Sequence, residues 1–284
     1  MKLPFIFAKR FVAGESFNQA LSKSRDLNSR KLKLTLDLLG ENVADRAEAD
    51  ATVKHYIELL QEIRKYKLDS GISIKLTMMG LDIDRVYCRD NLFKLLDAAK
   101  KLDLFVRIDM EGSPYTQVTI DIFKEAHAVY GAKHVGLVLQ AYLHRTKNDV
   151  ADLAELGCDI RLCKGAYKET AEVAIQNMPD IRNAYKEYAK VLLEKTKYPR
   201  FASHDDEIVE WVKEYTKQHN IPVSRFEFQM LYGLRQNTCE QLAADGYNVR
   251  IYVPYGTEWA PYFYRRLRER KENIWFVFTT LFKQ

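Results

Sequence analysis

Residues 71–110, GISIKLTMMGLDIDRVYCRDNLFKLLDAAKKLDLFVRIDM, hold one complete strand–helix–strand unit. Residues 71–78 form a short apolar run and read as a strand. Residues 90–101 carry the 3.6-residue pattern of an amphipathic helix. Residues 104–110 are again short and apolar. Two strands joined by such a helix lie parallel in one sheet, because a parallel pair needs a long crossover.

The same alternation runs through the chain. Further strand candidates are residues 31–38, 134–141, 159–164, 200–203, 225–231 and 248–254, and further helical patterns include 47–66, 116–129, 181–196, 205–218 and 260–272. Eight βα units in this length predict a (β/α)8 barrel, with a doubly wound sheet as the main competitor. Residues 15–26 read as an extra N-terminal helix outside the eightfold pattern. With 7 Pro, 12 Gly and no Ser/Gly/Pro-rich linker, residues 1–284 are expected to form one domain.

Composition narrows the class. A chain with 47% hydrophobic and 29% charged residues is that of a soluble globular protein, and no apolar run approaches the ~20 residues of a membrane span. The first ten residues hold too short an apolar core for a secretory signal. Cys88, Cys158, Cys163 and Cys239 show no C-x-x-C or metal spacing, so reduced thiols in a cytoplasm are expected and no metal site is. The net charge of +5 permits contact with anionic lipid or nucleic acid without arguing for either.

A barrel gathers functional side chains at the C-terminal ends of its strands. Lys75, Asp109, Gln140, Arg161 with Lys164, Ser203 with His204, Gln229 and Tyr252 stand at or near seven such ends. Lys75, inside an apolar strand, suits a carboxylate or a Schiff base, or marks an exposed edge strand. Asp109 suits a base, a group orienting cations, or a helix cap. Residues 161–167, RLCKGAY, combine two cations, a glycine and an aromatic, yet match neither a Walker loop nor G-x-G-x-x-G. Near the C-terminus Tyr262, Arg265, Arg266 and Glu269 fall at offsets 0, 3, 4 and 7, one helical face. Paired guanidinium groups beside an aromatic fit a small carboxylate.

These segments, in order, resemble proline dehydrogenase: Ile74-Lys75-Leu76-Thr77, Arg107-Ile108-Asp109-Met110-Glu111, Arg161 to Tyr167, Phe226 to Gly233, and Arg250-Ile251-Tyr252 with Tyr264 to Glu269. The resemblance is to the monofunctional bacterial form and runs from about Leu32 to the C-terminus. It implies a distorted barrel whose last helix lies over the mouth. It also implies non-covalent FAD and oxidation of L-proline to Δ1-pyrroline-5-carboxylate, the first step of proline catabolism to glutamate. By the resemblance, hydride passes from ring C5 to flavin N5 and electrons go on to a membrane quinone. The protein would then be cytoplasmic, with peripheral contact at the inner face of the membrane.

Carried over by position, Lys75, Arg265 and Arg266 would hold the substrate carboxylate, with Tyr167, Leu231, Tyr252 and Tyr262 around the ring. Asp109 would support the polar end. Met110, Gln140, Arg161, Lys164, Gly165, Ala166, Ser203, His204 and Glu269 would contact FAD, with Arg161 near its reactive edge. Two departures stand out: the N-terminal arm looks short, and Cys163 replaces an expected aliphatic residue. Two other functions stay open, a Schiff-base lyase or aldolase using Lys75 or Lys164, and a basic nucleic-acid-binding protein using the C-terminal helix.

Overall fold

Eight parallel strands close into a barrel in chain order, β1 to β8, with β8 pairing back on β1. The computed structural model describes residue 5 and residues 8–269, apart from the side chains of residues 265 and 267–269. The strands are β1 (Lys33–Leu38), β2 (Ser70–Ile74), β3 (Val106–Ile108), β4 (Val135–Gln140), β5 (Asp159–Cys163), β6 (Arg200–Ala202), β7 (Glu227–Leu231) and β8 (Asn248–Tyr255). Between them run α2 (Arg46–Lys65), α3 (Arg85–Lys101), α4 (Thr116–His134), α5 (Thr146–Glu155), α6 (Met178–Lys195), α7 (Asp206–Gln218) and α8 (Gln236–Ala244). Short polar residues start many of them. Asp45, Asp84, Asn177 and Asp205 each accept a backbone N–H of the first turn, satisfying donors that the helix leaves open.

The strand expected over 71–78 is shorter than its apolar run. Leu76–Met79 leave the sheet after Lys75 as a 3-10 turn. The neighbouring strand ends at Ile108, and the buried Glu111 carboxylate takes the Thr77 N–H (3.2 Å) and hydroxyl (2.6 Å), offering the backbone a partner outside the ladder. All four turn residues remain buried, which is why hydrophobicity alone extended the strand.

The extra helix, α1 (Phe17–Ser29), is capped by Ser16 and packs on β1 and β8, where a regular barrel would place its eighth helix. The last helix, α9 (Trp259–Glu269), packs elsewhere. Trp259, Tyr262 and Phe263 form a cluster with Leu39 and Leu234, which follow the C-terminal ends of β1 and β7, and with Ala8, Phe11 and Val12. The last helix therefore lies on the mouth side of the barrel, as expected. The N-terminal segment contributes to the core as well: Ala8, Phe11, Val12 and Ala13 are fully buried.

Deep in the barrel lies a layer of charge. Asp159 receives Arg107 and Arg200 (2.8 Å), and Glu227 receives Arg200 (3.0 Å) and Arg250 (2.7 Å). Gln229, expected at the mouth, instead turns its amide to Glu227, two residues back on the same face of β7, and joins this layer. The Phe105 ring sits 4.8 Å from the Arg107 guanidinium and 4.4 Å from that of Arg200, shielding both cations.

Candidate active site

Asp109 is the hub of the mouth. Its Oδ1 accepts from Arg161 Nη1 (2.8 Å) and Ser73 Oγ (3.0 Å), and its Oδ2 accepts from Tyr252 OH (2.7 Å). Its backbone N–H bonds Ile74 O at 2.8 Å, closing the β2–β3 ladder. The helix-cap alternative does not apply, since Gly112 precedes the next turn. Arg161 also lies over the Tyr252 ring, 5.4 Å from its centroid. Burial, and next the Asp109 charge, push the Tyr252 phenol well above its ordinary range, so it remains a donor.

Lys75 is 6% exposed, which removes the exposed-edge reading. Its ammonium donates to Asp37 Oδ1 at 3.1 Å, and Asp37 is 1% exposed. Burial opposes the Lys75 charge, but Asp37, then Asp109, more than offset it and hold the lysine above its ordinary pKa. Asp37 moves up to about 6, chiefly through burial and despite Lys75, with Asp109 adding repulsion. At neutral pH the pair is ionic, a positive centre flanked by two carboxylates. Asp37 escaped the sequence reading although it interrupts the apolar run of β1 just as Lys75 follows that of β2.

A second group of predicted residues lines the β4–β7 side. Gln140 is buried and bridges two loops, donating to Glu111 O (3.0 Å) and accepting the Ala166 N–H (3.1 Å). Gly165 has φ +136, and a Cβ there would lie 2.3 Å from the Tyr142 ring, so only glycine fits. Lys164 donates to Asp205 (2.8 Å), which Arg182 also contacts (2.9 Å); burial resists, but these two cations hold the Asp205 carboxyl low. Ser203 is buried and its hydroxyl accepts the Asp205 N–H at 3.1 Å. His204 Nε2 accepts the Leu231 N–H at 2.9 Å, which places the ring proton on Nδ1 and ties β6 to Leu231.

Met110 is buried, and Tyr167 and Leu231 are half-buried. On α9, Tyr262 and Arg266 are buried at 5% and 6% exposure, with the guanidinium 5.1 Å from the phenol ring centroid. The side chains of Arg265 and Glu269 lie outside the described residues. Cys163 is half-buried at the end of β5; its thiol points to Leu139 O (3.5 Å), and burial raises it to about 12. Gly233 has φ +75, and a Cβ there would meet Arg10 O at 1.6 Å, so the N-terminal arm rests directly on the loop after β7.

A family model described as proline dehydrogenase matches residues 20–278. The chain belongs to the proline dehydrogenase family. Proline dehydrogenase 2 of Bacillus subtilis is 41% identical over 279 residues, covering 98% of this chain and 91% of its own. Proline dehydrogenase of Deinococcus radiodurans is 37% identical, with 97% and 90% covered. Among solved structures, proline utilization A from Bdellovibrio bacteriovorus inactivated by N-propargylglycine superposes with a TM-score of 0.87 at 28% identity, over 93% of this chain and 33% of that one. The family barrel is thus about a third of that larger protein, whereas the Bacillus relatives match along nearly all of theirs.

Proposed function

We propose that this protein oxidises L-proline to Δ1-pyrroline-5-carboxylate with a tightly held FAD and passes the electrons to a membrane quinone. It is an oxidoreductase of the proline dehydrogenase family, and proline as substrate rests on that membership. The observation that carries the reading is the Asp109 hub, which joins Arg161 on the proposed flavin side to Tyr252 on the proposed substrate side.

The residues present fit a flavin. Arg161 is 5% exposed, and its Nε has no acceptor among the described residues. Such a buried donor is costly unless a ligand supplies the acceptor. Arg161, Lys164, Gln140 and the backbone at Gly165–Ala166 form a cationic, amide-rich set suited to ring carbonyls and a pyrophosphate. Bound there, FAD would supply the hydride acceptor.

The chain's own residues do the rest by orientation and electrostatics. Lys75 and Arg266, with Arg265, anchor the carboxylate, and the aromatic side chains Tyr167, Tyr252 and Tyr262 wall the ring. This fixes which ring carbon faces the acceptor. Loss of hydride from C5 and one proton from nitrogen leaves the cyclic imine, so the amine must react unprotonated. Asp109, held by three donors, keeps Arg161 and Tyr252 in register.

The lyase reading fits less well. A Schiff-base lysine needs a depressed pKa, and Lys75 is shifted the other way. For the nucleic-acid reading, Arg266 is buried rather than displayed. The test is product analysis: flavin-loaded protein with L-proline and an artificial quinone should form a cyclic imine that an aromatic o-aminoaldehyde traps. Absence of that adduct would overturn the assignment.

A further inference from the structure

We propose that Glu169 is a positioning residue that clasps the loop after β5 to the loop after β3, and so holds Tyr167, Ala166 and Gly165 in their working places. The inference rests on the functional reading above for what those three residues do. The clasp itself rests on geometry. Residues 164–177 form a long connection between β5 and α6. Its two ends are tied to the segment that follows β4. Tyr142 N–H bonds Lys164 O (2.8 Å), Ala166 N–H bonds Gln140 (3.1 Å), and Ile175 N–H bonds Tyr142 O (2.8 Å). A bridge pairs Leu143 with Ala174.

The tip between those anchors is open to solvent, with Lys168 and residues 170–172 exposed. Glu169 reaches from this tip past the end of β4 to the loop after β3. Its Oε1 accepts the Ser113 N–H at 2.7 Å and its Oε2 the Ser113 hydroxyl at 2.6 Å. Ser113 stands four residues after Asp109, at the start of the 3-10 turn that leads into α4. Glu169 thus ties the loop bearing Tyr167 to the strand end bearing the Asp109 hub. Two hydrogen bonds to one carboxylate, both short, are the strong kind and fix direction as well as distance.

The carboxylate is needed for shape more than for charge. In Glu169→Gln the amide oxygen still accepts the Ser113 N–H, and the amide nitrogen donates to the hydroxyl, which turns to accept. In Glu169→Ala both bonds vanish and the tip loosens on the Ser113 side, while His144 Nε2 still holds Ala171 O at 2.9 Å. Three measurements on the full chain test this. Hydrogen–deuterium exchange over residues 164–177 should rise in Glu169→Ala and stay near wild type in Glu169→Gln. The KM for L-proline should rise about tenfold or more in the alanine variant, from two lost bonds to a charged group, and return to within about threefold in the glutamine variant. The melting temperature should fall by no more than a few degrees in Glu169→Ala and stay near wild type in Glu169→Gln.

Unchanged loop exchange in Glu169→Ala overturns the clasp. Faster exchange with an unchanged KM keeps the clasp and overturns its positioning role. Equal losses in KM, kcat and melting temperature in both variants mean a general structural role and also overturn it. If wild-type protein does not oxidise proline, the functional reading fails, while the exchange measurement still decides whether the clasp exists.

Discussion

Removing the Lys75 ammonium should do more to substrate binding than to folding, and the reason lies in Asp37. In Lys75→Met the one cation that, among the described residues, bonds Asp37 is lost. Burial and the Asp109 charge remain, and both push the Asp37 pKa up from its present value of about 6. The carboxyl then takes up a proton near neutral pH instead of standing ionised and unpaired. That relief keeps the folding cost below the ~3–5 kcal/mol usual for breaking a buried pair. A raised acid pKa makes stability greatest below the unfolded value and lost as pH rises through the folded one. The variant should therefore lose stability across the neutral to alkaline range, at up to ~1.4 kcal/mol per pH unit, a slope the wild type completes near pH 6. Binding has no such escape. Deleting one partner of a desolvated charge pair costs roughly 2–5 kcal/mol, about 30- to 4,000-fold in half-saturation. The assay is flavin reduction against L-proline concentration without oxygen, with thermal melts from pH 6 to 9. Pyrrolidine, which lacks the carboxylate, should react equally with both proteins. A half-saturation point within threefold of wild type, or equal losses for proline and pyrrolidine, would refute the carboxylate anchor.

Two further outcomes follow from the same geometry. Glu227 is fully buried, and although burial raises its pKa, Arg250 and Arg200 hold it far below the usual carboxylate range. Glu227→Gln should destabilise the barrel by ~3–5 kcal/mol in denaturant melts at pH 7, and should lose much of that deficit relative to wild type as pH falls below about 4. A neutral effect would mean the charged layer is not an interdependent network. Gly165→Ala, at φ +136 against the Tyr142 ring, should cost about 1–3 kcal/mol locally and lower flavin occupancy while leaving the barrel folded. Full flavin content in that variant would separate the RLCKGAY turn from cofactor binding.

The barrel was legible because its two periodicities are local properties of the chain. So were Lys75 and Asp109, each just past an apolar strand, and Arg161 and Tyr252, which alternate with apolar residues inside β5 and β8. Asp37 carries the same signal in Leu34-Thr35-Leu36-Asp37-Leu38, but a single acid in an apolar strand does not name its partner, and only the fold brings Lys75 to it. Gln229 carries a similar signal but turns to Glu227, and a side chain's choice of partner is not written in its position along a strand. The charged layer of Arg107, Asp159, Arg200, Glu227 and Arg250 draws on five strands, and only their register brings it together. The Glu169–Ser113 contact spans 56 residues between loops and has no periodic signature at all. The position of α9 follows from the resemblance and from its contacts with Leu39 and Leu234, not from its own amphipathicity, which any surface helix would share.

Proline oxidation by a bound flavin is tested most directly by the visible spectrum of the purified, FAD-loaded protein under anaerobic conditions, before and after L-proline is added. The flavin band should bleach with L-proline and much less with D-proline or pyrrolidine. A protein that retains no flavin after reconstitution, or a band that L-proline leaves unchanged, would contradict that reaction.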